Sequence, residues 1–265
     1  MTALFETIIF GPIRSRRLGI SLGVNLLPEH AKICNFDCVY CECGSNEERK
    51  GQAQQRRFAK REDVKKALRE TLEKMAADTT QWEGKMPDVI TFAGNGEPTL
   101  HPQFEAIIDD TIELRNELAP DSKISVLSNA TTLEKESVVR ALKRIDNNIL
   151  KIDSAIESTA QLINKPQQKS YQVQSVISAM VAFGESAIVQ TMFLRGTIDG
   201  QKVDNTTEEE IAAWIEAVER IKPRQVMIYS IDRDTPYQTL QRVEREELER
   251  IAQRLRDLNI DVSVA

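Results

Sequence analysis

Residues 88–98 read Asp-Val-Ile-Thr-Phe-Ala-Gly-Asn-Gly-Glu-Pro. A short, branched, unbroken apolar run enters a glycine-flanked turn and ends on an acid. Continuous hydrophobicity over so few residues marks a strand covered on both faces, as in a parallel sheet. The turn that follows holds Asn95 and Glu97, polar groups of the kind that parallel α/β folds present at the carboxyl ends of their strands.

The same unit recurs along the chain. Strands are expected at residues 20–27 (ISLGVNLL), 88–93, 123–127 (KISVL), 148–152 (NILKI), 187–194 (AIVQTMFL) and 225–231 (QVMIYSI), with a short terminal one at 261–264. Helices are expected between them. Val64, Leu68, Leu72 and Met75 recur at helical spacing over 61–75, and Ile107, Ile108, Ile112 and Leu118 share a face over 104–118. Further helices are read at 133–145 after a threonine-rich start, at 171–183 closed by Gly184, at 207–221 and at 244–258. Thr207 and Glu210 have the spacing of a capping box. The polar stretch 45–55 reads as loop. Six strand–helix units fall short of the eight of a closed barrel. The expected fold is therefore α/β, a partial (β/α)6 TIM-like barrel of mostly parallel strands with helices outside. No repeat, low-complexity tract or linker divides it, so a single domain over 1–265 is expected.

Composition agrees. The chain has 265 residues and a mass of 30.0 kDa, with 41% hydrophobic residues and a mean hydropathy of −0.37. That is too large for a disulfide-stapled miniprotein and too apolar for a disordered chain. No apolar run approaches the roughly 18 residues of a membrane span, and the start lacks a signal-peptide pattern. A soluble cytoplasmic protein with no membrane partner is the expectation. A net charge of −6 weighs against a globally basic nucleic-acid binder. Arg14, Arg16 and Arg17, and the lysines and arginines within 49–66, leave local basic segments, read first as solvated surface and second as contacts for an anionic substrate.

All four cysteines, Cys34, Cys38, Cys41 and Cys43, lie within ten residues. A disulfide framework would spread them, whereas close thiols suit a metal that accepts several thiolates. The spacing Cys34-x3-Cys38-x2-Cys41 suits three corners of a cubane [4Fe–4S] cluster with one iron left open to another ligand. Cys43 is read as a nearby free thiol rather than a ligand. The alternative is a structural zinc knuckle using all four. His30 and His101 are read as structural. Met180, Met192 and Met227 are read as core packing, with Tyr171 and Tyr229 also open to that reading.

The stretch ICNFDCVYCECG (33–44) resembles the cluster loop of the radical S-adenosylmethionine (SAM) superfamily, with Cys34, Cys38 and Cys41 matching its ligands. Tyr40 matches the aromatic that sits near the adenine in that family. Gly94-Asn95-Gly96-Glu97-Pro98 resembles the family's GGEP segment. The resemblance implies that Glu97 and neighbouring backbone receive the amino group of SAM. Asn95 interrupts the glycine pair. Ser128 and Asn129 resemble the family's ribose or carboxylate contacts. Asp153 and Gln190 fall where further polar SAM contacts sit. Asn129 and Asp153 also read as caps, and Gln190 as a core polar group. The segments 11–19 (GPIRSRRLG), 23–28 (GVNLLP) and 95–102 (NGEPTLHP) resemble a subgroup of small radical SAM proteins related to wyosine-synthesis enzymes. Residues 1–33 hold no cysteine, so the second cluster of the wyosine enzymes has no ligands there.

The resemblance implies an enzyme in which a reduced [4Fe–4S] cluster cleaves SAM to methionine and a 5′-deoxyadenosyl radical, which takes hydrogen from a substrate. The implied cofactors are the cluster and SAM. The implied partners are an unidentified substrate (RNA, another anionic molecule, a protein or a small molecule) and a reducing electron donor such as flavodoxin or ferredoxin. An activase-like modification of a partner protein or peptide is the second reading. A non-enzymatic zinc or Fe–S module is the third.

Overall fold

The strand read at 88–93 forms as β3 (Val89–Phe92), with every residue buried. It lies within a computed structural model that describes residues 4–15, 18–46, 57–78 and 85–265. Part of the polar stretch 45–55 falls outside those residues, as do Arg16 and Arg17.

On either side of β3 lie β2 (Gly19–Val24) and β4 (Lys123–Ser128), both parallel to it. The parallel path continues through β5 (Asn147–Lys151), β6 (Ala187–Ile198), β8 (Gln225–Ser230) and β10 (Val262–Val264). The six expected strands and the terminal one are all in this sheet. Its outer face carries Leu22, Val24, Ile90, Phe92, Ile124, Val126, Leu150, Val189, Val226 and Ile228, which pack with the helices. Those helices are α1 (Arg61–Ala77), α2 (Phe104–Leu118), α3 (Glu136–Leu142), α5 (Val173–Val181), α6 (Glu208–Ile221) and α7 (Arg245–Arg256). A second, smaller cluster of Ile149, Ile188 and Met227, with Leu18 and Leu127 against it, lies on the inner face. Two hydrophobic layers on opposite faces explain why the strands read as continuous apolar runs.

Four elements lie outside the sequence expectation. β1 (Ile9–Ser15) pairs antiparallel with β2 as a hairpin at one end of the sheet. It carries glycine, proline and arginine, which hide a strand pattern. α4 (Glu157–Asn164) is only eight residues long, too short to show a period. β6 outruns its expected end and pairs antiparallel with β7 (Gln201–Asp204) and β9 (Gln241–Arg242). α3 begins at Glu136, three residues later than expected, and no side chain caps it. The capping box is half made. Thr207 accepts the Glu210 N–H, but the Glu210 carboxylate accepts from Ser154 Oγ at 2.7 Å.

Candidate functional site

The cysteine loop follows β2, and the turn after β3 anchors it. Ile33 N donates to Asn95 O (2.9 Å) and Glu97 N to Ile33 O (3.0 Å). Gly94 and Gly96 have φ of 142° and 136°, a region that only glycine enters readily. A side chain at Gly96 would collide with Ile33 O, and one at Gly94 with the Asn25 carboxamide. Asn95 thus sits between two glycines that the backbone requires.

The far side of the loop rests on α4. Asp37 N donates to Asn164 O and Val39 N to Ile163 O, both at 2.9 Å. These amides satisfy carbonyls that the end of a helix leaves unpaired. Inside the loop, the buried Lys32 ammonium donates to Asp37 Oδ1 (2.9 Å) and Gly44 O (2.8 Å). Residues 32–44 are therefore held on both flanks and pinned within.

None of the four cysteines is in a disulfide. Cys34 accepts from Phe36 N (3.4 Å) and lies 3.7 Å from Asn129 Nδ2. Cys38 accepts from Asn164 Nδ2 (3.5 Å) and lies 3.7 Å from Lys151 Nζ. Burial pushes the Cys34 and Cys38 thiols up. A hydrogen bond from Cys43, helped by Lys32, brings Cys41 down to about 6 against the opposing effect of burial. Cys43 itself is buried and 3.4 Å from Gly94 O. Among the described residues no three Cys, His, Asp or Glu side chains converge on one metal ion. Three uncrosslinked thiols, ringed by N–H donors and two lysines, are a donor set suited to an iron–sulfur cluster, where each thiolate takes its own iron and the cations offset their charge.

Glu97 connects strand ends. Its Oε1 accepts from Thr99 N (3.2 Å), Thr99 Oγ1 (2.6 Å) and Ser128 Oγ (2.9 Å), and its Oε2 accepts from Asn129 N (2.7 Å). Burial raises its pKa. All four partners are neutral, and no ion pair to Glu97 is present among the described residues. A buried carboxylate without a counter-cation is costly, and an ammonium ligand would relieve it. Asn129 also donates to Asn35 Oδ1 (2.7 Å) and accepts from Thr131, which joins the end of β4 to the cysteine loop.

Asp153 sits after β5 with no side-chain exposure. The Tyr40 hydroxyl and Asn164 Nδ2 (2.6 Å) donate to its Oδ2, and Met192 N donates to Oδ1 (3.0 Å). Its carboxylate thus orients Tyr40 and Asn164. Lys151 Nζ lies 4.2 Å from the Tyr40 ring centroid and 3.4 Å from Asp153 Oδ2. Gln190 faces inward between Ile188 and Met192. It is 7% exposed, and its side-chain amide makes no hydrogen bond among the described residues.

The structure thus gathers Cys34, Cys38, Cys41, Tyr40, Glu97, Ser128, Asn129 and Asp153 into one connected rim. Gly94 and Gly96 shape its turn, whereas the Asn95 side chain points into the N-terminal segment. His101 is structural, its ring bonded to Ala59 O (2.8 Å) and Gln103 N (3.1 Å). Sequence reading missed Lys32, Lys151 and Asn164. A lysine inside the apolar run NILKI was a usable signal. Asn164, on a helix without a period, gave none.

A profile of the Radical SAM superfamily matches residues 29–201. The "UPF0026 protein MJ1312" of Methanocaldococcus jannaschii is 31% identical over 221 residues, covering 82% of this chain and 61% of that protein. A solved structure of TYW1 with a lysine–pyruvate adduct superposes with a TM-score of 0.61 at 16% identity, over 91% of this chain and 74% of that one. Streptococcus suis SuiB bound to S-adenosylmethionine gives a TM-score of 0.62 at 15% identity, over 89% of this chain and 49% of that one. The likeness to these two is one of fold. The chain spans less than two thirds of MJ1312 and about half of SuiB. No helix among the described residues is long and apolar enough to cross a membrane. With the profile covering well over half of its residues, this chain belongs to the radical SAM superfamily.

Proposed function

We propose that Cys34, Cys38 and Cys41 hold a [4Fe–4S] cluster and that SAM binds beside it on the rim formed by β3, β4 and β5. Such a cluster would supply the electron for reductive cleavage of SAM and so the radical chemistry of the reaction. This chain's residues bind, orient and exclude water. Glu97, with the Gly94–Gly96 turn, receives the ammonium of SAM. Ser128 and Asn129 hold Glu97 in place and offer polar contacts at the end of β4. Tyr40, fixed by Asp153, flanks the adenine, and the Gln190 amide offers a further polar contact. A flavodoxin or ferredoxin supplies the electron, and an RNA, protein or small molecule supplies the hydrogen.

The observation that carries this reading is Glu97, a buried carboxylate with neutral partners only, hydrogen-bonded to Asn129, which itself touches Cys34. The test is anaerobic reconstitution with iron and sulfide, then reduction with dithionite in the presence of SAM. Iron and sulfide near four per chain with 5′-deoxyadenosine release supports it. A colourless protein with one zinc and no SAM cleavage overturns it in favour of a zinc module.

A further inference from the structure

Asn95 stands where the superfamily segment has a glycine, and its side chain reaches the N-terminal segment. Its Oδ1 accepts the Phe5 N–H, and its Nδ2 donates to Phe5 O and to Pro28 O, each at 2.8 Å. Both amide donors are therefore used. Its backbone N–H takes Asn25 Oδ1 (3.1 Å), and its carbonyl takes Ile33 N (2.9 Å). One fully buried residue joins the N-terminal segment, the end of β2, the entrance of the cysteine loop and the turn that leads to Glu97.

The segment it holds has a defined place. The Phe5 ring stacks on Phe10 with centroids 3.7 Å apart. In the β1–β2 register Ile9 pairs with Val24 and Phe10 with Gly23. Val24 packs with the helices, so Phe10 lies on the opposite face, toward the barrel interior. A side chain at Gly23 would collide with the Phe10 ring. Because β1 ends the open sheet, the two rings stand as a wall at its open flank, next to the turn.

We propose that Asn95 is a positioning residue that couples residues 4–10 to the Gly94–Glu97 turn, so that SAM bound at the turn also fixes the Phe5–Phe10 wall on the open flank of the barrel. The inference rests on the reading of that turn as the SAM site. Coupling of this kind is reciprocal: a ligand that orders the turn orders the segment tied to it, and loss of the tie weakens both. A wall held more firmly when SAM is present keeps water from the interior at the stage where exclusion counts.

Hydrogen–deuterium exchange on the full chain, reconstituted anaerobically with its cluster and measured with and without SAM, tests this. In the wild type SAM slows exchange over residues 94–100 and also over 4–10, by at least about fivefold at the Phe5 amide, the lower end of common coupling strengths. Asn95→Gly, which restores the glycine pair, keeps the effect over 94–100 and loses it over 4–10. Asn95→Asp keeps an acceptor for the Phe5 N–H but lacks both donors, and shows the same loss in smaller measure. Full SAM-dependent slowing over 4–10 in Asn95→Gly overturns the coupling, as does a wild-type segment that ignores SAM while the turn responds. SAM without effect at residues 94–100 in the wild type is a different result, which removes the SAM-site reading itself.

Discussion

Lys151 Nζ lies 3.7 Å from the sulfur of Cys38. The same ammonium stands over the Tyr40 ring and beside the buried Asp153 carboxylate. A lysine at the end of an inner strand thereby carries positive charge to a place where a carboxylate and cysteine thiols collect. Removing one partner of a buried pair leaves an unmatched charge, which costs about 3 kcal/mol or more. Lys151→Met is expected to lower stability by about that amount in urea denaturation of the reduced apoprotein. Adding Asp153→Asn, which removes the orphaned charge, recovers much of the loss. If the double variant is as unstable as the sum of the two singles, the pair is not coupled.

With Glu97 as the proposed receptor of the SAM ammonium, SAM affinity is expected to depend on pH. Burial raises its pKa above the ordinary carboxyl value, so its charge disappears at a higher pH than that of a free glutamate. An ammonium ligand prefers the ionised form. SAM binding is therefore expected to weaken as pH falls through the raised pKa. Glu97→Gln removes the charge-assisted bond, worth roughly 1.5–3 kcal/mol, and so weakens SAM by about ten- to a hundredfold. The variant also flattens the pH dependence. Equilibrium binding of SAM to the reconstituted protein between pH 5 and 8 reads both effects, and an unchanged slope in Glu97→Gln rejects the role.

How much of this was legible in the sequence depends on what each feature needed. The parallel strands announced themselves because helices on one face and the Ile149, Ile188 and Met227 layer on the other leave little room for polar side chains. The Tyr40–Asp153 bond spans 113 residues of chain, and both residues were named from the motif and from a strand end. β1 and α4 were not legible. β1 owes its pairing to β2 and carries a bulge between Phe10 and Ile13, which breaks the alternation. α4 is held by the cysteine loop, whose amides fill its last carbonyls, a tertiary relation with no local signature. The consequence at the site was that Asn164, which touches both Cys38 and Asp153, stayed hidden.

The fourth cysteine separates ligand from neighbour. On the proposed assignment Cys34→Ala removes one of three cluster thiolates, and iron bound after anaerobic reconstitution should fall to a small fraction of the wild-type value. Cys43→Ala removes only a hydrogen-bonding thiol next to Cys41 and Gly94, and should retain the wild-type iron content. Iron and sulfide determination with the visible spectrum reads both variants. Equal loss in the two would make Cys43 a ligand and favour a four-thiolate site.

Away from the site, α1 and α2 are joined by charge. Asp110 on α2 accepts from Arg61 at 2.6 and 2.9 Å and from Lys65 at 3.2 Å. The Arg61 hydrogen bonds, with Lys65 adding to them, hold the Asp110 carboxyl below its ordinary value. A carboxyl whose pKa is depressed on folding contributes stability that is present above its unfolded pKa, about 3.9. That contribution is lost as pH falls through the lower folded value. Asp110→Asn should therefore lower stability at neutral pH while leaving a shallower decline below about pH 4. Both Arg61 and Lys65 are more than a third exposed, so added salt should shrink the neutral-pH difference. Thermal melts of the two proteins at several pH values and two salt concentrations decide it: parallel acid limbs would show that Asp110 is not the group that titrates.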